Sequence, residues 1–205
     1  AVLQTDGPIL ILAGAGSGKT RVLVYKVAYL VAVKKIPPEQ ILLVTFTNKA
    51  ANEMKERVIK LLNSVIGKKF TDIPFAGTFH SFCAKLLRLE GRIIGLMPNF
   101  VIYDEQDQKD AIKEAIIKCN LDPKIYHPAA VLNTISEAKN ELISETEYPQ
   151  FARGYFQEAV AVIYLTYQKI LRDNNALDFD DLLGKIVYLF QNHREILQKY
   201  QEKYH

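Results

Sequence analysis

The amino-terminal part of the chain alternates between short apolar runs and longer stretches with apolar residues at helical spacing. Residues 9–12 form an apolar run of strand length, and after a glycine-rich turn the pattern over 21–33 is helical. A second apolar run covers 41–46, and Thr47 or Asn48 is suited to cap a following helix. The apolar stripe of that helix is Ala51, Met54, Val58 and Leu61.

A third unit of the same kind follows. Its extended run covers 75–78, and its helix covers about 81–89 and ends at Gly91. Strands that alternate with helices in this way predict an α/β fold with a parallel sheet that is covered on both faces.

The pattern becomes helical throughout from about Asp104 to Asn175. One apolar stripe there consists of Val131, Ile135, Ala138 and Leu142. Asp178 is then expected to cap a further helix, whose apolar face consists of Leu182, Leu183, Ile186 and Leu189. The sequence therefore predicts an all-helical segment between two parts of an α/β domain.

Composition places the chain among globular proteins, with 49% hydrophobic and 24% charged residues in 205. Its apolar segments are too short or too interrupted by charge to span a bilayer, and no signal peptide is recognisable. Cys83 and Cys119 lie far apart, without His or Cys at metal-ligand spacing. We therefore expect a reduced, cytoplasmic setting without a membrane partner, a disulfide framework or a zinc site.

Charge is distributed unevenly. Residues 1–95 contain 14 Lys and Arg against 6 Asp and Glu, whereas the remainder contains 12 against 17. A polyanion would bind the first part. On charge alone, two solvated surfaces explain the pattern better than a nucleic-acid site does.

The strongest chemical signal is the sequence ILILAGAGSGKT over residues 9–20. Glycines let the backbone amides turn toward phosphate oxygens, and the following helix adds its positive end. Lys19 would bind the β and γ phosphates, and the Thr20 hydroxyl would hold Mg²⁺, so these two are the candidate catalytic residues. The loop departs from the usual pattern only in having Ala13 at its first position. The candidate nucleotide-binding residues are Ala13, Gly14, Ala15, Gly16, Ser17, Gly18, Lys19, Thr20 and Arg21.

Three further stretches carry a resemblance to a known family. They are LLVTFTNKAANEMKERV at 42–58, AGTFHSFCAKLLR at 76–88 and LDFDDLL at 177–183. Together with the loop, and in this order, they resemble the UvrD/Rep/PcrA-like helicases of superfamily 1. The resemblance implies a RecA-like P-loop NTPase that uses ATP and Mg²⁺ to translocate on single-stranded DNA and unwinds duplex in the 3′ to 5′ direction.

The resemblance also implies a surface for single-stranded DNA, with single-strand/duplex junctions as partners. Its candidate residues are Phe46, Thr47, Asn48, Thr78, His80 and Ser81. A ring can stack on a base, and hydroxyl and amide groups can bond phosphates. Without the family, Phe46 could be a core aromatic, and His80 a capping or core residue. Lys49, Lys55, Arg57 and Lys60 are better explained as a solvated helix face.

Two acidic stretches need a choice between catalysis and capping. Asp104 and Glu105 follow the apolar run 100–103, where a magnesium ligand and a water-activating carboxylate would stand. A polar helix begins at the same point, so we favour Asp104 as its cap. In the resembled family this stretch enters the helical insertion. Asp178, Asp180 and Asp181 also stand in a first helical turn, where capping is again favoured over metal binding.

The resemblance divides the chain into three segments. Residues 1–95 would be the first part of the RecA-like domain, 96–175 its inserted helical subdomain, and 176–205 the return to the RecA-like domain. The family's Asp-Glu motif, its adenine-recognising glutamine and the second motor domain with its arginine finger would lie outside this sequence. We therefore expect a fragment that is inactive alone.

Three function classes follow from these observations. The first is part of an ATP-dependent DNA helicase that acts in replication, repair or recombination in the bacterial cytoplasm, at the nucleoid. The second is a nucleotide-dependent single-strand binding module without hydrolysis. The third is an unrelated P-loop enzyme such as a small-molecule kinase, which gives no reason for TFTNKAANEM.

Overall fold

The computed structural model describes residues 1–14, 16–67 and 74–204. Its helices are α1 (Lys19–Ala32), α2 (Asn48–Ile66), α3 (Phe79–Glu90), α4 (Glu105–Lys118), α5 (Pro128–Asn140), α6 (Tyr155–Asp173), α7 (Phe179–Asn192) and α8 (Arg194–Lys203). Its strands are β1 (Leu42–Thr45), β2 (Phe75–Thr78), β3 (Val101–Ile102) and β4 (Ala176–Leu177). Short 3₁₀ turns cover Pro38–Gln40, Gly91–Ile94 and Tyr148–Gln150.

The chain forms two compact units. Unit 1 consists of Ala1–Phe82 and Leu197–His205, and unit 2 of Cys83–Ile196, with residues 15, 68–73 and 205 outside the description. The fold is mixed, with small parallel sheets among helices, which agrees with the predicted α/β class. The division at residues 95 and 175 stays a prediction.

Unit 1 contains a two-stranded parallel sheet. β1 pairs with β2 so that Leu42 lies opposite Phe75 and Thr45 opposite Thr78. Each strand leads directly into a helix, as the sequence predicts. The carboxyl ends of both strands therefore meet at one edge of the sheet.

The core of unit 1 joins α1 and α2 to β1. Its buried residues are Val24, Val27, Ala28, Val31, Ile41, Leu43, Val58 and Leu62. On α2 the fully buried position is Leu62, whereas the predicted Leu61 packs against the core from a partly exposed position.

The predicted strand over 9–12 is wrong. These residues form no strand, and Leu10 and Leu12 are 83% and 87% exposed. A strand of a parallel sheet is stabilised by hydrogen bonds to its neighbours and by burial of its faces. Within the described residues, β1 and β2 pair only with each other, so 9–12 has no strand beside it.

A hydrophobic core of unit 2 is formed by three of its helices. α4, α5 and α6 enclose a core that includes Ile112, Ile116, Val131, Ile135, Val160, Ile163 and Tyr167, each 1% exposed or less. The predicted stripe of α5 is correct for Val131, Ile135 and Ala138. It is wrong for Leu142, which lies beyond the end of α5 with a positive φ of 60° and a half-exposed side chain.

A two-stranded parallel pair lies at the ends of the three-helix segment. β3 pairs with β4 so that Val101 lies opposite Ala176 and Ile102 opposite Leu177. The backbone N–H of Tyr103 adds a further bond, to the carbonyl of Leu177 at 2.9 Å. α4 begins just after β3, and α7 just after β4. Among the described residues, no helix has the length and apolar character needed to cross a membrane.

Candidate functional site

The glycine-rich loop ends at the first turn of α1. Gly16 and Gly18 have φ values of 75° and 86°, in the left-handed region that side chains with a Cβ disfavour. Gly18 is the N-cap residue of α1 and has no side chain with which to cap the first N–H groups of the helix. These N–H groups therefore stay available to an anion. The candidate residue Ala15 lies outside the described residues.

Lys19 turns its ammonium back onto the loop. Its Nζ donates to the carbonyl oxygens of Ala13 at 2.7 Å and Gly14 at 2.9 Å. Ala13 at the first loop position thus contributes its backbone oxygen, which any residue would supply. The Ser17 hydroxyl donates to the same Gly14 carbonyl at 2.6 Å. Among the described residues, the exposed ammonium bonds these two backbone oxygens, which an incoming phosphate can replace as its partner.

Two further candidate residues lie in the first turn of α1. Thr20 is half-buried, one residue after Lys19. Arg21 is exposed, and its guanidinium lies 5.5 Å from the centroid of the Tyr25 ring. The loop therefore brings together an ammonium, a hydroxyl and a guanidinium at one helix start.

The other candidate residues converge at the carboxyl edge of the β1–β2 sheet. Because Thr45 lies opposite Thr78, Phe46 and Phe79 follow at the same level. The two ring centroids are 5.7 Å apart, and the ring planes are tilted by 43°. Phe46 is 90% exposed, so it does not occupy a core position. Its ring is accessible at the edge where α2 and α3 begin.

Hydroxyl groups fix the starts of both helices. Thr47 is the N-cap of α2, and its Oγ1 accepts from the N–H of Ala50 at 3.2 Å. At α3, Thr78 Oγ1 accepts from the N–H of Ser81 at 3.1 Å, and the Ser81 hydroxyl donates to the Thr78 carbonyl at 2.8 Å. The candidate residues Asn48 and His80 lie in the first turns of α2 and α3. Two positively polarised helix ends thus flank the aromatic pair.

Gly77 lies in β2 at a position where the neighbouring side chains leave no room for a Cβ. A Cβ at this position would come within 2.5 Å of the Ser81 Oγ and 2.9 Å of the Phe75 ring. Real Cβ atoms do not approach other atoms this closely, so a larger residue would displace the Ser81 hydroxyl. The glycine in AGTFHS is therefore required by packing.

Asp104 is a helix cap, as the sequence analysis favours. Its Oδ1 accepts from the N–H groups of Gln106 at 2.8 Å and Asp107 at 2.9 Å, and Asp107 Oδ2 accepts from the N–H of Asp104. Glu105 pairs with Lys109 across one turn of α4 at 2.6 Å. Both acids are therefore engaged in the local structure of α4.

Asp178 and Asp181 cap α7 and also belong to a buried ionic network. Oδ1 of Asp178 accepts from the N–H of Asp181 at 2.8 Å, which completes the capping interaction. Lys139 Nζ lies 2.5 Å from Asp178 Oδ2 and 2.9 Å from Asp181 Oδ1. The Tyr167 hydroxyl donates to Asp178 at 2.9 Å, and the Gln168 amide to Asp181 at 3.2 Å. Asp180 is only half-buried. The network therefore links α5, α6 and the start of α7 through buried side chains.

The network shifts the pKa values of its members. Burial, and then the charge of Asp181, raise the pKa of Asp178. Burial also acts on Asp181, but Lys139 and Lys185 lower the pKa of that carboxyl overall. Burial alone would lower the pKa of Lys139, whereas the two carboxylates raise it overall. Burial, and then Asp178, raise the pKa of Tyr167 above its usual range. Lys139 is therefore held in its charged form.

Sequence reasoning missed Lys139 and Phe79. Lys139 falls at helical spacing from Leu132 and Ile135, so a lysine on the apolar face of α5 was the available signal. For Phe79 the signal was that both strands are followed directly by Phe, in TFT and TFH. Within the part of the chain that the structure describes, no group of three or more His, Cys, Asp or Glu side chains could hold a metal ion.

Comparison with known proteins identifies one family over the whole chain. The family model of the UvrD/REP helicase N-terminal domain matches residues 1–205. The ATP-dependent DNA helicase PcrA of Bacillus subtilis (strain 168) is 48% identical over 204 residues, which cover 100% of this chain. The proteins of the same name from Staphylococcus aureus (strain Mu50) and Leuconostoc citreum are 44% and 43% identical over 204 residues. The chain spans 27% of the length of each of these relatives.

Proposed function

The chain belongs to the UvrD/REP helicase N-terminal domain family, and on this basis we propose that it is the nucleotide- and DNA-binding part of an ATP-dependent DNA helicase. In this proposal unit 1 belongs to a RecA-like domain, and α4, α5 and α6 form its helical insertion. The whole protein would translocate on single-stranded DNA and unwind duplex in the 3′ to 5′ direction. It would act in bacterial replication, repair or recombination.

The loop at the start of α1 would bind ATP with Mg²⁺. Its donor set suits a polyphosphate: it combines an exposed ammonium, a hydroxyl and helix N–H groups that no cap side chain covers. A Cβ built at Gly14 or Gly16 meets no atom within 4 Å, so the loop leaves open space on this side. Lys19 would exchange its two carbonyl partners for phosphate oxygens. Thr20 would hold the metal ion through its hydroxyl.

Single-stranded DNA would bind at the carboxyl edge of β1 and β2. The observation that carries this proposal is the 90% exposure of Phe46 between the first turns of α2 and α3. An exposed ring offers a face on which any base can stack, and helix N-termini attract the phosphates beside it. Thr47, Asn48, Thr78, His80 and Ser81 would contact the backbone. The protein would engage single strands and their junctions with duplex.

A second candidate function is nucleotide-dependent single-strand binding without hydrolysis. The observation in its favour is that Asp104 and Asp178, which stand just after β3 and β4, both serve as helix caps. Their carboxylate oxygens are engaged by backbone N–H groups, so neither is placed as a free general base. Hydrolysis of ATP by a longer chain that includes the second motor domain, with and without single-stranded DNA, separates the two functions, because this chain alone is expected to be inactive in both.

Binding of fluorescent oligo-dT and of a mixed-sequence oligonucleotide tests the proposal. We expect binding to both, weakening as salt rises. Phe46→Ala should lower the affinity for both oligonucleotides by about 1 to 3 kcal/mol. Tyr155→Ala is the matched control, because Tyr155 is a 92% exposed aromatic residue of unit 2. Unchanged affinity in folded Phe46→Ala would exclude stacking on Phe46.

A further inference from the structure

We propose that Phe79 is a positioning residue of the single-strand site, which holds the ring of Phe46 in the orientation that takes a base. This inference rests on the proposed function and adds to the site a residue that neither the sequence motifs nor the family relationship assigns to it. Phe79 is the first residue of α3 and is 43% exposed. Part of its ring is therefore covered, and the remainder lies at the same sheet edge as Phe46.

Phe46 needs such support because its ring has few other contacts. A side chain that is 90% exposed samples several rotamers in solution. Fixing those rotamers on binding costs conformational entropy, which lowers affinity. A ring that is already held in place avoids this cost. A neighbouring aromatic ring can hold it without covering its free face.

The geometry of the pair meets this requirement. The centroids of Phe46 and Phe79 are 5.7 Å apart at a tilt of 43°, within the range of attractive aromatic contacts. The pair also follows from the strand register, since Thr45 lies opposite Thr78 and each is followed by Phe. The backbone next to each ring is fixed in turn by the Thr47 and Thr78 side-chain caps.

The distance between the two rings shows whether Phe79 supports Phe46 or sandwiches a base together with it. A base sandwiched between two rings needs them about 7 Å apart and parallel, twice the spacing of stacked bases in DNA. The two rings are closer than this and tilted. In this arrangement the two rings leave no room for a base between them, so a base would stack on the face of Phe46 that Phe79 leaves free.

The first test measures the mobility of the ring without DNA. The chain contains no Trp, so Phe46→Trp provides a single indole reporter. We expect its fluorescence anisotropy to fall when Phe79→Ala is added, and to stay the same when Tyr155→Ala is added instead. Unchanged anisotropy in folded Phe46→Trp/Phe79→Ala would overturn the inference. This measurement does not depend on DNA binding.

The second test is a double-mutant cycle on oligo-dT affinity. Phe79→Ala should weaken binding about two- to tenfold, the equivalent of one aromatic pair, and Phe79→Leu should weaken it less. In the Phe46→Ala background, Phe79→Ala should cause no further loss. An equal loss in both backgrounds would show an independent contact and overturn the inference. Circular dichroism and thermal unfolding verify that each variant is folded.

The two tests separate failure of the inference from failure of the proposed function. If the unsubstituted chain binds no single-stranded DNA, the proposed function fails, and the base-taking role of the pair fails with it. If the chain binds DNA and Phe46→Ala weakens binding while Phe79→Ala does not, the proposed function stands and the inference is overturned.

Discussion

Lys139 and Asp178 are 39 positions apart in the sequence, yet the lysine Nζ lies 2.5 Å from the aspartate Oδ2. Both residues are buried, and Asp181 accepts a second bond from the same ammonium. One positive charge therefore serves two carboxylates. The end of α5 and the start of α7 depend on each other through this cation.

Lys139→Met should destabilise unit 2 by about 3 to 5 kcal/mol, because it leaves two buried carboxylates without their cation. The measurement is urea unfolding at neutral pH. Lys109→Met is the matched control, since Lys109 pairs with the largely exposed Glu105, and it should cost less than about 1 kcal/mol. Equal effects of the two substitutions would contradict the structural importance of the network.

Tyr167→Phe should make stability less dependent on pH above pH 10. Burial, and then Asp178, raise the pKa of Tyr167 above its ordinary 10.0, so above that pH the unfolded chain loses the proton while the folded chain keeps it. The free energy of unfolding then falls as pH rises, by up to about 1.4 kcal/mol per pH unit for one proton. Lys139 acts in the same direction above 10.5, because its folded pKa is also raised.

Urea unfolding between pH 8 and 11 measures this difference. The curve of Tyr167→Phe should fall less steeply than that of the unsubstituted chain. Tyr155→Phe changes an exposed tyrosine outside the network and should leave the slope unaltered. Parallel curves for all three proteins would show that Tyr167 ionises equally in both states.

Asp104→Ala should lower the free energy of unfolding by about 1 kcal/mol and leave nucleotide binding intact. The variant loses the acceptor for two N–H groups at the start of α4. Asp104→Ser keeps a capping oxygen and should retain most of the stability. Loss of nucleotide binding in folded Asp104→Ala would restore the carboxylate as a candidate for the catalytic site.

Gly77→Ala should destabilise unit 1 by about 1 to 3 kcal/mol, the usual cost of overpacking, because the new methyl group meets the Ser81 Oγ and the Phe75 ring. Gly184→Ala is its control within a helix. A Cβ at Gly184 meets no atom within 4 Å, so this change should stabilise α7 by about 0.5 to 1 kcal/mol. Thermal unfolding of the two variants should therefore shift in opposite directions.

Lys19→Ala should abolish binding of a fluorescent ATP analogue with Mg²⁺, because it removes the ammonium while leaving the loop amides. Lys26→Ala is the matched control. Lys26 lies on the same helix and also donates its Nζ to a backbone carbonyl, that of Gln4 at 2.9 Å. Unchanged affinity in folded Lys19→Ala, or equal loss in both variants, would remove Lys19 from the site.

Sequence patterns predicted the elements whose signals are local. The strand-helix units of β1–α2 and β2–α3, and the caps at Thr47, Asp104 and Asp178, follow from residues within a few positions of one another. The wrong strand over 9–12 shows the limit of this reasoning. An apolar run favours burial, but it is buried as a strand only beside a neighbouring strand with which to pair, and the run does not contain that information.

The candidate site was predictable in its parts and not in its arrangement. TFTNKAA and AGTFHS indicated which side chains to examine, but their juxtaposition depends on the pairing of Thr45 with Thr78. Lys139 illustrates the same point, since its two partners lie at the start of another helix. Contacts between distant positions are set by register and packing, which single-sequence periodicity does not encode.

The pairing of β3 with β4 has a topological consequence. Asn99 and Asn175 are 76 positions apart, yet their side chains are joined by a hydrogen bond of 3.3 Å, and Val101 N–H reaches the Asn175 carbonyl at 2.9 Å. The chain therefore enters and leaves the α4–α6 segment at a single place. A segment anchored in this way can be lengthened or shortened during evolution without separating its two ends. A protein engineer who replaced it as one unit would have to keep a cation at the position of Lys139, because Asp178 and Asp181 lie outside the segment.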